Sequence, residues 1–192
     1  MTKRTMLDVL AAAAAATLAF AAPIDAFAAA AAPETLWVDK ATGDDDYEGD
    51  DKGTHNHPFA SIQAAVDFAK DGDTINVQPG DYDNGGFEDS TGHSNRVFIA
   101  KKIHLVSTAG AWMTTIRGKF DSGDTANNGT NLVGDGVRCV LIDNSSNRGY
   151  GAVIEGFTLV DGYAAKAHNF GGAIRAIDAS DGAYFVDCTI TN

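Results

Sequence analysis

Cysteine is scarce in this chain: Cys139 and Cys188 are the only two in 192 residues. Two thiols do not make a disulfide framework, although an oxidising compartment would allow one bridge. Each lies in an apolar, strand-like run, where a cysteine also serves as a small core residue. Positive charge is scarce too, with 14 Lys+Arg against 26 Asp+Glu and a net charge of −12. That balance argues against nucleic acid or an anionic membrane surface as partner. It is compatible with cation binding, or with solubility outside the cell. There is no nucleophile-elbow motif, no phosphate-binding loop and no Cys-x-x-Cys pair.

The long apolar run is confined to Leu10–Ala22, is mostly Ala, and falls short of the ~20 residues a membrane span needs. Lys3 and Arg4 precede it, and Ala26-Phe27-Ala28 has the small-x-small form of a cleavage site. The expectation is a secretory signal peptide over residues 1–28, cut after Ala28, with a transmembrane anchor as the alternative. Residues 29–35 then form a spacer and residues 36–192 the folded part. Removing residues 1–28 leaves 164 residues and the net charge still at −12, enough chain for one sizeable core.

Helix signals are as sparse as cysteines. The one convincing helix begins at Ser61, a plausible N-cap, and carries Ile62, Ala65, Val66 and Ala69 at the spacing of one buried face. Gly72 reads as its C-terminal stop. Thr74–Val77 then alternates apolar and polar, and Pro79-Gly80 signals a turn. Elsewhere the chain reads as strands: Leu36–Val38, Thr74–Val77, Val97–Ile99, Ile103–Ser107, Thr114–Arg117, Val137–Ile142, Val153–Leu159, Gly172–Ile177 and Tyr184–Ile190.

Those strands repeat. Gly136–Ser145 aligns with Gly171–Ser180 at an offset of 35, matching Gly136/Gly171, Ile142/Ile177, Asp143/Asp178 and Ser145/Ser180. Gly151–Asp161 aligns with Gly182–Asn192 at an offset of 31, matching Gly151/Gly182, Ala152/Ala183 and Thr158/Thr189 and keeping Phe157/Cys188 and Leu159/Ile190 apolar. A strand-only period near ~30 residues predicts a solenoid, each repeat being one coil; propeller repeats run longer and carry four strands. The predicted fold is all-β, a right-handed parallel β-helix whose single helix lids one end of the core. Cys188–Asn192 reads as an unfinished strand with no closing cap, so the expectation is a fragment truncated at its C-terminus.

Pro58–Asp67, Asp71–Val77 and Pro79–Tyr82 together resemble the N-terminal cap of right-handed parallel β-helix proteins of the pectin-lyase-like superfamily. The strand and acidic loop Leu36–Gly53, the Thr114-Thr-Ile-Arg-Gly118 coil and the Val153–Leu159 segment resemble the same group. Gly171-Gly-Ala-Ile174 is also similar to the repeats of polymorphic outer-membrane proteins. The resemblance covers nearly the whole chain after the signal. It implies the fold, and it is weak for activity because the superfamily holds lyases, hydrolases, adhesins and passenger domains. Pectate-lyase-type elimination needs a cation on the uronate carboxylate and a Lys or Arg base at C5; no such motif can be placed residue by residue here. Catalytic, substrate-binding and metal residues therefore stay unassigned.

Four groups of residues offer local chemistry. Asp44, Asp45, Asp46, Glu48 and Asp50 form an acidic loop able to recruit Ca2+, without EF-hand spacing, and a solvated loop explains them as well. Asp143 and Asp178, if stacked on adjacent coils at ~4.8 Å, would present a carboxylate pair to a cation; turn-initiating aspartates explain them equally. His55 and His57 can face one side of an extended segment and bind a metal, or be exposed loop histidines. Lys101, Lys102, Arg117 and Arg175 are the cations on or beside strands that could touch an acidic glycan. The leading expectation is a secreted or cell-surface protein that binds or degrades polysaccharide, with Ca2+ as its candidate cofactor. The alternative is a non-enzymatic adhesin or autotransporter-like passenger meeting a host or cell-surface glycan. Whether the chain is an enzyme, and its oligomeric state, stay open at this level.

Overall fold

The computed structural model describes residues 32–90, 92–119, 136–143, 145, 151–164, 171–178 and 182–191. The signal segment 1–28 and the Ser145/Ser180 match lie outside them, wholly or in part. Among the described residues no helix is long and apolar enough to cross a membrane.

The protein is mostly β-sheet with one short helix. In chain order the elements are β1 (Thr35–Val38), α1 (Ile62–Phe68), β2 (Thr74–Val77), β3 (Gly80–Tyr82), β4 (Phe87–Glu88), β5 (Ser94–Ile99), β6 (His104–Ser107) and β7 (Thr114–Arg117). They continue with β8 (Val137–Asp143), β9 (Ala152–Glu155), β10 (Thr158–Val160), β11 (Ile174–Ile177), β12 (Ala183–Val186) and β13 (Thr189–Thr191). Three sheets result, ordered β1-β2-β6-β9-β12, β3-β7-β10-β13 and β4-β5-β8-β11. Every pairing is parallel except β4 with β5. From β2 onward the chain visits the first, second and third sheets in turn and then returns to the first, an order compatible with a β-helix.

The strand pattern explains the register. Side chains alternate faces along a strand, so one apolar row per strand faces inward. Leu36, Ile75, Leu105 and Ile154 stand side by side across the first sheet, and all four are buried. Tyr82, Ile116 and Leu159 make the equivalent row in the second sheet, and Val97 beside Val140 and Ile99 beside Ile142 in the third. Each fully buried aliphatic side chain contributes about 1.5–3 kcal/mol.

The predicted offset of 31 is the observed one. Ala152 pairs with Ala183 and Thr158 with Thr189. The offset of 35 is corrected to 34 in the third sheet, where Val140 pairs with Ile174 and Asp143 with Ile177. The physical reason is the two-residue period of a strand. An offset of 35 would set Arg175 beside core-facing Val140, whereas 34 sets it beside Leu141.

Two predicted strands, Val153–Leu159 and Tyr184–Ile190, are each two strands in different sheets. Gly156 (φ 76°) and Asp187 (φ 48°) turn the chain between them in the left-handed region. The spacer's last residue, Thr35, belongs to β1, and β3 and β4 have no counterpart among the predicted strands. At another corner, glycines meet glycines: a Cβ on Gly118 would lie 2.6 Å from the Gly162 Cα, and one on Gly162 would lie 2.6 Å from the Gly172 carbonyl oxygen.

Helix α1 starts as predicted. The Ser61 hydroxyl accepts a hydrogen bond from the Ala64 N–H at 3.2 Å. It stops after Phe68 rather than at Gly72, which turns the chain three residues beyond the C-cap Ala69 with φ 98°. The Lys101 ammonium takes the loose ends, donating to the carbonyls of Val66, Asp67 and Ala69 at 2.7–2.8 Å. This satisfies acceptors that a helix C-terminus leaves without partners. Ile62, Ala65, Val66 and Ala69 join the core, so the predicted face is the buried one.

Candidate ligand-binding groove

The groove lies at the corner where the first sheet passes into the second. Successive corners stack there: the long loop 108–113 between β6 and β7, the Gly156 turn between β9 and β10, and the Asp187 turn between β12 and β13. They enclose about 480 Å³ lined by Ser107, Trp112, Glu155, Asp187, Cys188 and Thr189, among others. That volume falls within the range of about 300–1,000 Å³ usual for ligand clefts.

Trp112 dominates the rim and is 99% exposed. Its loop is nonetheless tied down. The Thr158 hydroxyl donates to the Ala111 carbonyl at 2.7 Å, the Ala109 N–H donates to the Ser107 hydroxyl at 3.2 Å, and the Met113 N–H donates to the Gly110 carbonyl at 3.1 Å. Ser107 and Thr114, both buried, share a hydroxyl–hydroxyl bond of 2.6 Å beneath it. A large aromatic surface is thus left in water on a backbone already held in place. Two carboxylates line the groove, Glu155 and the exposed Asp187. Glu155 Oε2 lies 2.8 Å from His104 Nε2, with both side chains a little over one-third exposed.

The residues singled out from sequence fall elsewhere. In the acidic loop, Asp45 accepts from the Ala60 and Ser61 N–H groups at 2.8 and 3.1 Å, and Asp44 accepts from the Asp46 N–H at 2.9 Å. Asp46, Glu48 and Asp50 are exposed. Asp51 lies between the Tyr47 hydroxyl, 2.7 Å away, and His57 Nδ1, 2.6 Å away; the Tyr47 bond foremost holds its carboxyl below the usual range. His57 stacks on Tyr47 with ring centres 4.2 Å apart, whereas His55 packs edge-on against Trp37 at 4.6 Å. The two histidines serve different neighbours. Among the described residues no group of three or more His, Cys, Asp or Glu is placed to hold a metal ion.

Asp143 initiates a turn, accepting from the Ser145 N–H at 2.9 Å. It pairs with Ile177 rather than Asp178, so the stacked carboxylate pair does not form. Asp178 has φ 48° and serves the next turn. Lys101 is committed to the end of α1, and Lys102 is exposed. Arg117 bridges Asp81, at 2.8 Å, and Asp161; these hydrogen bonds, the one to Asp81 most, raise the pKa of the Arg117 guanidinium. Arg175 lies in β11 beside Leu141. The two cysteines are both free thiols. Cys139 is fully buried, which pushes its pKa up to about 11, and its Sγ lies 3.3 Å from the Val160 carbonyl oxygen.

Sequence reasoning also passed over a buried polar cluster under the third sheet. Arg138 is fully buried; it donates to the Gly171 carbonyl at 3.0 Å and to Asn95 Oδ1 at 3.2 Å, and Asp89 lies 3.5 Å away. Desolvation chiefly lowers its pKa, with the nearby Arg175 charge adding to it. Asn95 in turn donates to the Phe87 and His93 carbonyls, and the His93 N–H donates to Asp89. The cluster fastens the β4–β5 hairpin to β8. Its role is structural on this geometry, since each of these bonds runs to a neighbouring segment of the fold.

With the architecture and groove in view, the chain can be placed. It belongs to the family described as "Protein of unknown function (DUF1565)", which matches residues 42–180. No curated protein and no solved structure matches it.

Proposed function

We propose that this chain forms the first coils of a right-handed parallel β-helix of the pectin-lyase-like kind, exported from the cytoplasm, and that it binds polysaccharide in the corner groove. Three sheets, parallel except for the β4–β5 pairing and visited in rotation from β2 onward, support the solenoid. The burial of Ile62, Ala65 and Val66, with the Gln63 side chain hydrogen-bonded to the β5 backbone, supports α1 as the lid over one end. The leader-like segment 1–28 supports export.

The observation that carries the binding reading is Trp112, almost wholly in water on a loop fixed by hydrogen bonds, at the rim of a groove lined by two carboxylates. An exposed indole offers a large, rigid apolar face with a polar N–H, and covering it is favourable, which suits it to a ligand contact beside the groove. The apolar C–H face of a pyranose ring suits the indole face. Its hydroxyls suit Glu155 and Asp187, which only accept hydrogen bonds. A groove running along stacked coils also matches a linear polymer.

The test is affinity electrophoresis of the full chain through gels containing soluble glycans, both neutral and uronate, beside Trp112→Ala. Retardation by at least one glycan, with dissociation weakened at least about tenfold by the substitution, is the expected result. No retardation on any glycan, or retardation unchanged by Trp112→Ala, would overturn the reading.

A further inference from the structure

We infer that the corner groove selects glycans bearing no acidic group and rejects polyuronates; this rests on the glycan-binding reading above. The argument is charge complementarity. The groove presents Glu155 and Asp187, and none of the described residues that line it is Lys or Arg. A uronate polymer brings a carboxylate on every ring, and like charges brought to close range across an interface repel. The chain's net charge of −12 adds a long-range field of the same sign.

Several of the chain's cations are engaged elsewhere. Lys101 is bound to three carbonyls at the end of α1, Arg117 to Asp81 and Asp161, and Lys40 to Asp83. Arg96 donates to the carbonyls of Arg117 and Gly85. His104 lies against Glu155. Ca2+ takes about 6–8 oxygen ligands, and among the described residues no group of three or more His, Cys, Asp or Glu is placed to gather them; the Ca2+ arm of the titration below tests whether the uronate and water make up the set.

A neutral sugar meets none of these obstacles. Its hydroxyls donate to Glu155 and Asp187, forming charge-assisted hydrogen bonds, while one ring face covers Trp112. The groove's polar groups and its aromatic surface are then both satisfied by one ligand class.

Isothermal titration of the full chain compares neutral hexasaccharides (cellohexaose, mannohexaose, β-1,4-galactohexaose) with hexagalacturonate and hexamannuronate, each with and without Ca2+. The inference expects at least one neutral hexamer to bind and both uronates to bind at least about tenfold more weakly, Ca2+ making no difference. In Glu155→Gln/Asp187→Asn, checked for an unchanged far-UV spectrum, neutral binding falls about tenfold through loss of charged acceptors, while the discrimination against uronates shrinks. A uronate binding as tightly as the neutral hexamers, with or without Ca2+, would overturn the substrate class and leave glycan binding standing. Binding of none would overturn the glycan-binding reading itself.

Discussion

The side chain of Gln63 pairs with both backbone groups of Phe98: its Oε1 accepts the Phe98 N–H at 2.7 Å, and its Nε2 donates toward the Phe98 carbonyl at 3.4 Å. A helix residue thus stands in for a neighbouring strand at the edge of the third sheet. The Gln63 amide is buried, and its Nε2 also donates to Asp67 at 2.8 Å. Gln63→Ala removes the acceptor of a part-buried N–H, and the expected loss is about 1–2 kcal/mol in urea unfolding. Gln63→Glu keeps the acceptor but removes the donor and adds a poorly solvated charge, so it is destabilised as well. Wild-type stability in both variants would mean that α1 does not close this edge.

The glycine corner makes a sharper prediction. Gly162→Ala would bring a methyl group to 2.6 Å from one backbone atom and 2.7 Å from another, neither of which is a flexible side-chain end. The segments at Gly162 and Gly172–Ala173 must move apart to admit it. Thermal unfolding should show a loss of about 1–3 kcal/mol or more, the usual range for overpacking. Gly110→Ala has nothing within 4 Å of its new Cβ, and its cost is confined to the positive φ of 78°.

Tyr82 sets an alkaline limit. Its ring is 1% exposed, and burial pushes the phenol from 10.0 up to about 12. An acid whose folded pKa is raised keeps its full contribution below the unfolded value. Stability therefore falls from about pH 10 to 12, because only the unfolded chain releases the proton there, by about 2–3 kcal/mol in all. Cys139, raised from 9.0 to about 11, acts with the same sign in a window about one pH unit lower. Tyr82→Phe should flatten the upper part of this decline, measured as the urea midpoint against pH. An unchanged profile would mean that Tyr82 ionises normally in the fold.

The thiols should separate by kinetics. Cys188 is partly exposed at the groove, whereas Cys139 is buried with a raised pKa. At pH 8 a water-soluble disulfide reagent should modify one thiol of the native chain quickly and the second only in denaturant. Cys188→Ser should abolish the fast phase. Two equally fast thiols, or none in denaturant without reductant, would contradict the free and unequal pair.

Residues that repeat at one strand position were legible in the sequence. Thr158/Thr189 and Ala152/Ala183 align because neighbouring strands of one sheet face the same surroundings, and the structure sets them side by side. Ser61 and the buried face of α1 were legible for a similar reason, being local patterns. Corners were not. Phe157 and Cys188 carry the apolar run through the turn, and Asp187 adopts a left-handed conformation where glycine would have given warning. The third-sheet register was misread by one residue because matching identities outweighed strand parity at Arg175.

The groove was illegible for a deeper reason. Trp112, Glu155 and Asp187 belong to three separate segments, the β6–β7 loop, the end of β9 and the β12–β13 turn, and come together only when the strands pair. Each is unremarkable in its own stretch of chain. The one local hint was a tryptophan in a Gly-Ala loop, at a site with no alternating strand pattern to bury it. The charged residues that did draw notice, such as Lys101 and Asp45, were conspicuous because they hold the fold together.

The most direct measurement uses the indole itself. The chain has two tryptophans, Trp37 and Trp112. In Trp37→Phe, checked for an unchanged far-UV spectrum, emission reports on Trp112 alone and should begin at the long wavelength of a ring in water. Titration with the neutral hexasaccharides should shift that emission to the blue, saturably, for at least one of them, while hexagalacturonate leaves it in place. Emission unmoved by every neutral glycan would contradict the claim that this groove binds polysaccharide through Trp112.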